Sequence, residues 1–108
     1  MQTMEAIAQR QSCRAYTPEQ ITEPELTAVL QAANAAPVGL AKYHEVKLTV
    51  VQDKAMLERI DAAGAAYFNK PGACPTYGAP TLIIVSAIAP TGPRHITPHC
   101  NAACIVEN

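Results

Sequence analysis

With 108 residues, the chain is long enough for one domain, residues 1–108, which can bury about 60–70% of its unfolded surface. A hydrophobic content of 49% and a charged content of 16% are typical of a globular protein and exclude an intrinsically disordered one. The net charge is −1 and both signs are interspersed, so no nucleic-acid partner and no membrane surface is expected.

Hydrophobic spacing and capping residues predict the first three helices. A short amphipathic helix is predicted at residues 2–10. A second helix is predicted to begin after Thr22, because Thr22 and Glu25 have the spacing of a capping box, and to end before Pro37. Asp53 is the predicted N-cap of a third helix.

Two strands and a fourth helix complete the predicted order. Residues 46–50 alternate apolar and polar side chains, which predicts a strand with one solvated face. Residues 80–86 show no such alternation and contain the apolar run 82–85, which predicts a central strand covered on both faces. Turn-forming residues between them predict a loop at 69–79. Thr97 is the predicted cap of the last helix, whose inward side chains would be Ala102, Ile105 and Val106. This apolar stripe reaches Asn108 without a capping glycine, which predicts a chain cut within a helix.

The first helix is followed by a cluster of polar side chains, Arg10, Ser12 and Arg14. Two guanidinium groups with a hydroxyl between them provide rigid donors that suit phosphate oxygens. The pattern predicts a site for a phosphorylated ligand, with a solvated turn carrying two surface arginines as the alternative.

The four cysteines predict neither disulfides nor a metal site. They lack the paired spacing of zinc ligands, and no secretory signal or membrane-spanning run is found, so a cytoplasmic protein with reduced thiols is expected. His95 and His99 lie near Cys100 and Cys104, but prolines interrupt the segment and no second ligand cluster is present. Cys13, Cys100 and Cys104 are expected to be small packed side chains. For Asn101 and Glu107, the sequence does not distinguish a side chain that faces a site from one that faces solvent.

The order of these motifs resembles the nitroreductase family of FMN-dependent oxidoreductases. The resemblance consists of the Arg-x-Ser-x-Arg segment, Ala-Ala-x-Ala-Ala-Pro, Gly-Ala-Pro before the apolar strand, and Asn-Ala-Ala-Cys-Ile-Val-Glu-Asn at the end. It covers nearly the whole chain but only the N-terminal half to two-thirds of a usual family member. It implies an α+β fold, a three-layer α/β/α sandwich, truncated at the C-terminal side.

The resemblance also implies roles for individual residues. Arg10, Ser12 and Arg14 would hold the phosphate, ribityl chain and pyrimidine edge of FMN, and Gln11 would contribute main-chain contacts. Because family sites lie across a dimer interface, a second stretch would contact the flavin of the partner subunit; its residues are Pro37, Val38, Gly39 and Leu40. The usual Ser, Asn and Gln side chains of this stretch are absent here.

Asn69 falls where some family members place an asparagine near the flavin ring, and Tyr67 or Phe68 would line the substrate side. The implied activity is ping-pong transfer of electrons from NADH or NADPH through flavin to a nitroaromatic, quinone or related acceptor. No side chain need act as acid or base, because the flavin carries the chemistry. The alternative is a truncated homologue, a homodimeric flavin-binding or interaction module without catalysis.

Overall fold

Helices and strands follow the predicted order in the computed structural model, which describes residues 2–88 and 97–108. The elements are α1 (Thr3–Gln9), α2 (Glu23–Asn34), β1 (Val46–Val51), α3 (Lys54–Tyr67), β2 (Leu82–Ala87) and α4 (Thr97–Glu107). Two single-turn 3₁₀ helices, Gly39–Ala41 and Tyr43–Glu45, lie between α2 and β1.

Both predicted caps in the first half of the chain are present. The Thr22 hydroxyl accepts from the Glu25 N–H at 3.4 Å, and the Glu25 carboxylate accepts from the Thr22 N–H at 2.7 Å. These bonds stabilise the ionised carboxylate, so the Thr22 N–H first, and then its hydroxyl, lower the pKa of Glu25. At α3, the Asp53 carboxylate accepts from the Met56 N–H at 2.8 Å. Each cap satisfies a backbone donor that has no partner within its helix.

The two strands form an antiparallel pair in which Val46 lies opposite Ala87 and Val51 lies opposite Leu82. The prediction that the second strand is covered on both faces was wrong for the described residues, since Ile84 is 37% exposed. Within the described part of the chain β2 pairs with β1 and with no further strand. An uninterrupted apolar run does not reveal which neighbouring elements are available to cover it.

The core lies where α4 and the residues after α2 pack on the sheet. Ala36, Val38 and Ile105 are its buried centre, with 0%, 8% and 6% of their surface exposed. Partly buried side chains from α2, β1 and β2 surround them: Ala33, Val46, Leu48 and Val85. This packing holds α4 across the sheet and brings it beside the residues that follow α2.

Three predicted inward positions on α4 divide between core and solvent. Ile105 is buried and Ala102 is half-buried, but Val106 is 71% exposed, so its predicted inward orientation was wrong. The sequence did not distinguish a buried from an exposed position for Asn101 or Glu107; in the structure Asn101 is only 4% exposed and Glu107 is exposed. Residues 101 and 105 are one turn apart and therefore share a helix face, which is the face that the sheet covers.

The cysteines predicted to be packed are exposed instead. Cys13 lies in the irregular segment after α1, and Cys100 and Cys104 lie on the outer face of α4. Together with Cys74 they are unpaired thiols, as predicted.

The loop after α3 is fastened to that helix by Asp61. Its carboxylate accepts from the Thr76 N–H and the Thr76 hydroxyl, both at 2.9 Å, and from the Cys74 thiol at 3.2 Å. The Thr76 N–H is the main cause of a lowered pKa of Asp61, because it stabilises the ionised form. The predicted loop at 69–79 is therefore an ordered turn region, with Gly72 and Gly78 at φ values of 79° and 74°.

Gly64 marks the closest approach between α3 and this loop. A Cβ at position 64 would lie 2.7 Å from Cγ of Pro75. Although alanine has the higher helix propensity, by about 1 kcal/mol, we expect Gly64→Ala to lower the free energy of unfolding by about 1–3 kcal/mol through overpacking. Urea denaturation followed by circular dichroism measures the change.

A double variant provides the control for this prediction. Pro75→Ala removes the clashing ring. In that background, Gly64→Ala should lower the free energy of unfolding by less than it does when Pro75 is present. Equal costs in the two backgrounds would contradict the proposed contact.

The chain exposes more surface than a compact monomer of its mass. Its accessible area is 8276 Å², compared with about 5,800 Å² expected for a folded monomer of this size. The radius of gyration of 15.8 Å likewise exceeds the expected value of about 13 Å. Helix α1 contributes to this excess, since Met4 and Ile7 on one of its faces are 73% and 64% exposed. An apolar helix face this open provides a surface for further packing.

Candidate functional site

The predicted phosphate site lies in the irregular segment that follows α1. Arg10 ends the helix with extended backbone angles (φ −60°, ψ 127°), and Gln11, Ser12 and Arg14 continue this segment with exposed side chains. Within the described residues the ion pair found is Lys42–Glu45, so neither Arg10 nor Arg14 is neutralised by a carboxylate there. Two unpaired guanidinium groups and a hydroxyl form a donor set that fits an anionic phosphate.

A hydrogen-bond network fixes where this segment enters α2. The Gln20 amide donates to the Pro80 carbonyl at 2.9 Å and accepts from the Thr81 hydroxyl, which also accepts from the Gln52 amide at 3.0 Å. The network ties the end of the arginine segment to the start of β2. Sequence reasoning missed these residues, because Gln20 and Thr81 are separated by 61 residues.

The second predicted stretch, residues 37–40, forms a tight loop above α4. The Val38 side chain belongs to the core, and it borders a cavity of about 70 Å³, so only its main chain is available to a ligand. Pro37, Gly39 and Leu40 are exposed. Leu40 and the following Ala41 both have left-handed backbone angles, with φ of 59° and 54°. Such angles are unfavourable for residues that carry a Cβ, by about 1–2 kcal/mol each.

Asn101 of α4 holds this loop from below. Its side-chain oxygen accepts from the Gly39 N–H at 2.8 Å, in a part-buried position. A Cβ at Gly39 would lie 3.2 Å from Cγ2 of Thr97 and 3.4 Å from the Asn101 oxygen, so the loop approaches α4 as closely as glycine permits. One sequence signal for Asn101 was available, because it lies one turn from Ile105 on the apolar face of α4.

Asn69 lies apart from the other predicted site residues. It ends α3 in a left-handed conformation with φ of 51°, and its N–H donates to the Ala66 carbonyl at 3.1 Å. Its side chain borders an open groove of about 360 Å³, which is lined by Ala62, Ala65, Ala66, Pro71 and Gly72 and by no other predicted site residue. The neighbouring Tyr67 and Phe68 form an exposed edge-to-face aromatic pair with ring centroids 5.1 Å apart.

The predicted site residues lie in three segments of the chain: residues 10–14, residues 37–40 and Asn69. Within the described residues, no hydrogen bond joins the arginine segment to the loop at 37–40 or to Asn69. No group of three or more potential metal ligands occurs among these residues, and His95 lies outside them. Every helix of the described segments is too short or too polar to cross a bilayer.

The profile of the nitroreductase family matches residues 7–102. A search of curated proteins found no match.

Several solved structures are similar over almost the whole chain. An FMN-bound nitroreductase from Bacteroides fragilis is 33% identical, with a TM-score of 0.78 over 96% of this chain. An FMN-bound nitroreductase from Desulfitobacterium hafniense is 26% identical, with a TM-score of 0.82 over 97% of this chain. An FMN-dependent nitroreductase from Clostridium difficile is 28% identical, with a TM-score of 0.75 over 98% of this chain.

The chain spans little more than half of these structures. It covers 59%, 60% and 55% of the Bacteroides, Desulfitobacterium and Clostridium chains, respectively. The mixed helix and strand order, the shared fold and the family profile over residues 7–102 agree with one another. The chain belongs to the nitroreductase family.

Proposed function

We propose that this chain is an FMN-dependent oxidoreductase that transfers electrons from NADH or NADPH to a nitroaromatic, quinone or related acceptor. The observation that carries the proposal is the structural match, over 96–97% of the chain, to nitroreductases that have FMN bound. A Bacteroides thetaiotaomicron neighbour at 23% identity, described as a putative NADH dehydrogenase/NAD(P)H nitroreductase, shares the fold alone.

The FMN phosphate is assigned to Arg10, Ser12 and Arg14. Their exposed, unpaired donors match a dianionic phosphate, and Gln11 lies between them with its main chain available. Two planar guanidinium groups would orient the phosphate as well as balance its charge, and this would position the rest of the cofactor. No glycine-rich dinucleotide loop of the Gly-x-Gly-x-x-Gly type occurs in the chain, so FMN is favoured over FAD.

The flavin ring is assigned to the loop Pro37–Leu40 and to Asn69. Because Val38 turns its side chain into the core and Gly39 has none, this loop offers main-chain atoms and the apolar Leu40 surface. Asn69 offers an amide, and the Tyr67–Phe68 pair offers an aromatic surface for a planar acceptor.

The chemistry that bound FMN would supply is two-electron transfer, in which NAD(P)H loses a hydride and a quinone acceptor gains its two electrons and one proton together with a second proton from solvent. The residues of this chain bind and orient the reactants, and none is assigned as an acid or base. Since donor and acceptor use the same cofactor in turn, ping-pong kinetics are expected.

We further propose that the working unit is a homodimer with the site at its interface. Among the described residues, no hydrogen bond joins the arginine segment to the loop of the same chain, and the loop of one subunit would complete the site of the other. The accessible area of the chain exceeds that of a compact monomer by about 2,500 Å², so surface is available for such an interface. The open apolar face of α1, with Met4 and Ile7, is a natural part of it.

Dilution tests this assembly. Sedimentation velocity at decreasing concentration should show dimers that dissociate with loss of helical circular dichroism, because α1 and α4 are short helices that need packing to persist. NAD(P)H oxidation per subunit should fall over the same range. A folded monomer at nanomolar concentration, or constant activity per subunit as monomers appear, would contradict the shared site.

The catalytic proposal is tested with purified protein and added FMN. A yellow protein that retains FMN after gel filtration and oxidises NADH or NADPH with a quinone, giving parallel double-reciprocal plots, supports it. A second candidate is a dimerising flavin-binding or interaction module without catalysis, for which the exposed apolar face of α1 with Met4 and Ile7 provides a surface. Yellow protein without NAD(P)H oxidation, or colourless protein, would support that module instead.

Unpaired thiols at all four cysteines suit the reducing cytoplasm, where we place the protein.

A further inference from the structure

The loop at residues 37–41 can serve a ligand only if its main chain keeps one conformation. Its side chains provide no polar group, since Val38 is buried, Gly39 has no side chain and Leu40 is apolar. Two successive residues, Leu40 and Ala41, are held in the left-handed region without being glycine. A strained conformation of this kind persists only when surrounding contacts impose it.

Core packing of Val38, two hydrogen bonds within the loop and one long-range hydrogen bond hold this conformation. Inside the loop, the Ala41 N–H donates to the Val38 carbonyl at 3.0 Å and the Lys42 N–H donates to the Gly39 carbonyl at 3.4 Å. The bond that ties the loop to another element is from the Gly39 N–H to the Asn101 oxygen at 2.8 Å, between residues 62 positions apart. It acts at the residue directly before the left-handed pair.

Burial of the Asn101 side chain does not by itself favour the folded state. The side chain is only 4% exposed, and its amide nitrogen, Nδ2, has no hydrogen-bond partner among residues 2–88 and 97–108. A buried donor without a partner is unfavourable, and an apolar residue of similar size would avoid that cost. The side chain therefore has a use that its own packing does not explain.

We propose that Asn101 is a positioning residue of the flavin site, which sets the main-chain conformation of the loop at 37–41 and so controls FMN affinity from α4. This inference rests on the proposed assignment of that loop to FMN. Asn101 acts through Gly39 and touches the loop, and its role is to keep the Leu40–Ala41 pair in the binding conformation.

The test compares FMN affinity of the full chain with that of two variants, by quenching of flavin fluorescence at pH 7. Asn101→Leu removes the acceptor but retains the volume, and we expect a 5- to 30-fold loss of FMN affinity with a midpoint of thermal unfolding close to that of the wild type. Asn101→Asp keeps an oxygen acceptor in either protonation state and replaces the amino group, Nδ2, with a second carboxyl oxygen. Its affinity should stay within threefold of the wild type, a rescue that a merely structural role would not produce.

Hydrogen exchange separates loop control from general stability. In Asn101→Leu, the amides of residues 39–42 should exchange at least tenfold faster, while those of α3 stay unchanged. Leu57→Val, a buried change in α3, provides the control: it should lower stability without changing the loop amides or FMN affinity. Loop exchange unaltered by Asn101→Leu, or equal loss of affinity in both Asn101 variants, overturns the inference. Wild-type protein that binds no FMN overturns the proposed function instead, and loop exchange alone then decides whether Asn101 holds the loop.

Discussion

Replacing Arg14 with alanine is expected to weaken FMN binding about 10- to 150-fold. This range corresponds to the roughly 1.5–3 kcal/mol that a hydrogen bond to a charged group contributes. The exposed guanidinium has no acidic partner in the described part of the chain, so its full charge is available to the phosphate. Arg14→Lys keeps the charge but loses the planar fork, and it should fall between wild type and alanine.

Riboflavin separates phosphate binding from other effects of the substitution. Because riboflavin lacks the phosphate, Arg14→Ala should change its affinity less than threefold, and wild-type protein should prefer FMN. Arg59→Ala, at an exposed arginine of α3, is the matched control and should leave FMN affinity unchanged. Isothermal titration with both flavins measures these differences. Riboflavin binding as tightly as FMN to the wild type would show that the arginine segment does not hold the phosphate.

Truncating Ile105 is expected to have the largest effect on stability. Its side chain is 6% exposed and packs at the centre of the core with Ala36 and Val38. Ile→Ala in such a position lowers the free energy of unfolding by about 2–5 kcal/mol. Domains of this length have about 5–15 kcal/mol in total, so a large share of the stability would be lost.

The adjacent residue supplies the control for this substitution. Val106 is 71% exposed on the same helix, so Val106→Ala should change the free energy of unfolding by less than about 0.5 kcal/mol. Both variants are compared by urea denaturation at one protomer concentration, because association would otherwise shift the midpoints. Similar losses in the two variants would mean that α4 is not docked through Ile105.

Local features of the sequence predicted the elements well. Thr22 and Glu25, and Asp53 with Met56, form caps from residues three apart, and these caps set where α2 and α3 begin. The structure places α1, α2, β1 and α3 within a few residues of their predicted limits. The irregular, exposed segment carrying Arg10 and Arg14 also agrees with its sequence pattern.

The family and its fold were likewise accessible from the order of motifs. The Arg-x-Ser-x-Arg segment, the capped helix and the apolar strand all lie within residues 7–102, which the family profile matches. The residues assigned to FMN remain a prediction, because their roles came from that resemblance.

What the tertiary structure alone decided is how distant residues meet. The apolar strand β2 pairs antiparallel with β1 and leaves Ile84 partly exposed, because coverage depends on which elements are available to pack. On α4, the rotation of the helix about its axis places Asn101 against the sheet and Val106 in solvent. The apolar pattern of Ala102, Ile105 and Val106 did not define this rotation.

In the loop at 37–41 of the candidate site, the sequence likewise predicted one feature and the tertiary structure decided another. Its turn residues predicted the end of α2, but the left-handed angles of Leu40 and Ala41 are not those that their residue types favour. They depend on a bond between Gly39 and Asn101, 62 residues away. Caps and helix limits follow from bonds between near neighbours and can be predicted from the sequence, whereas this loop conformation exists only once α4 has packed beneath it.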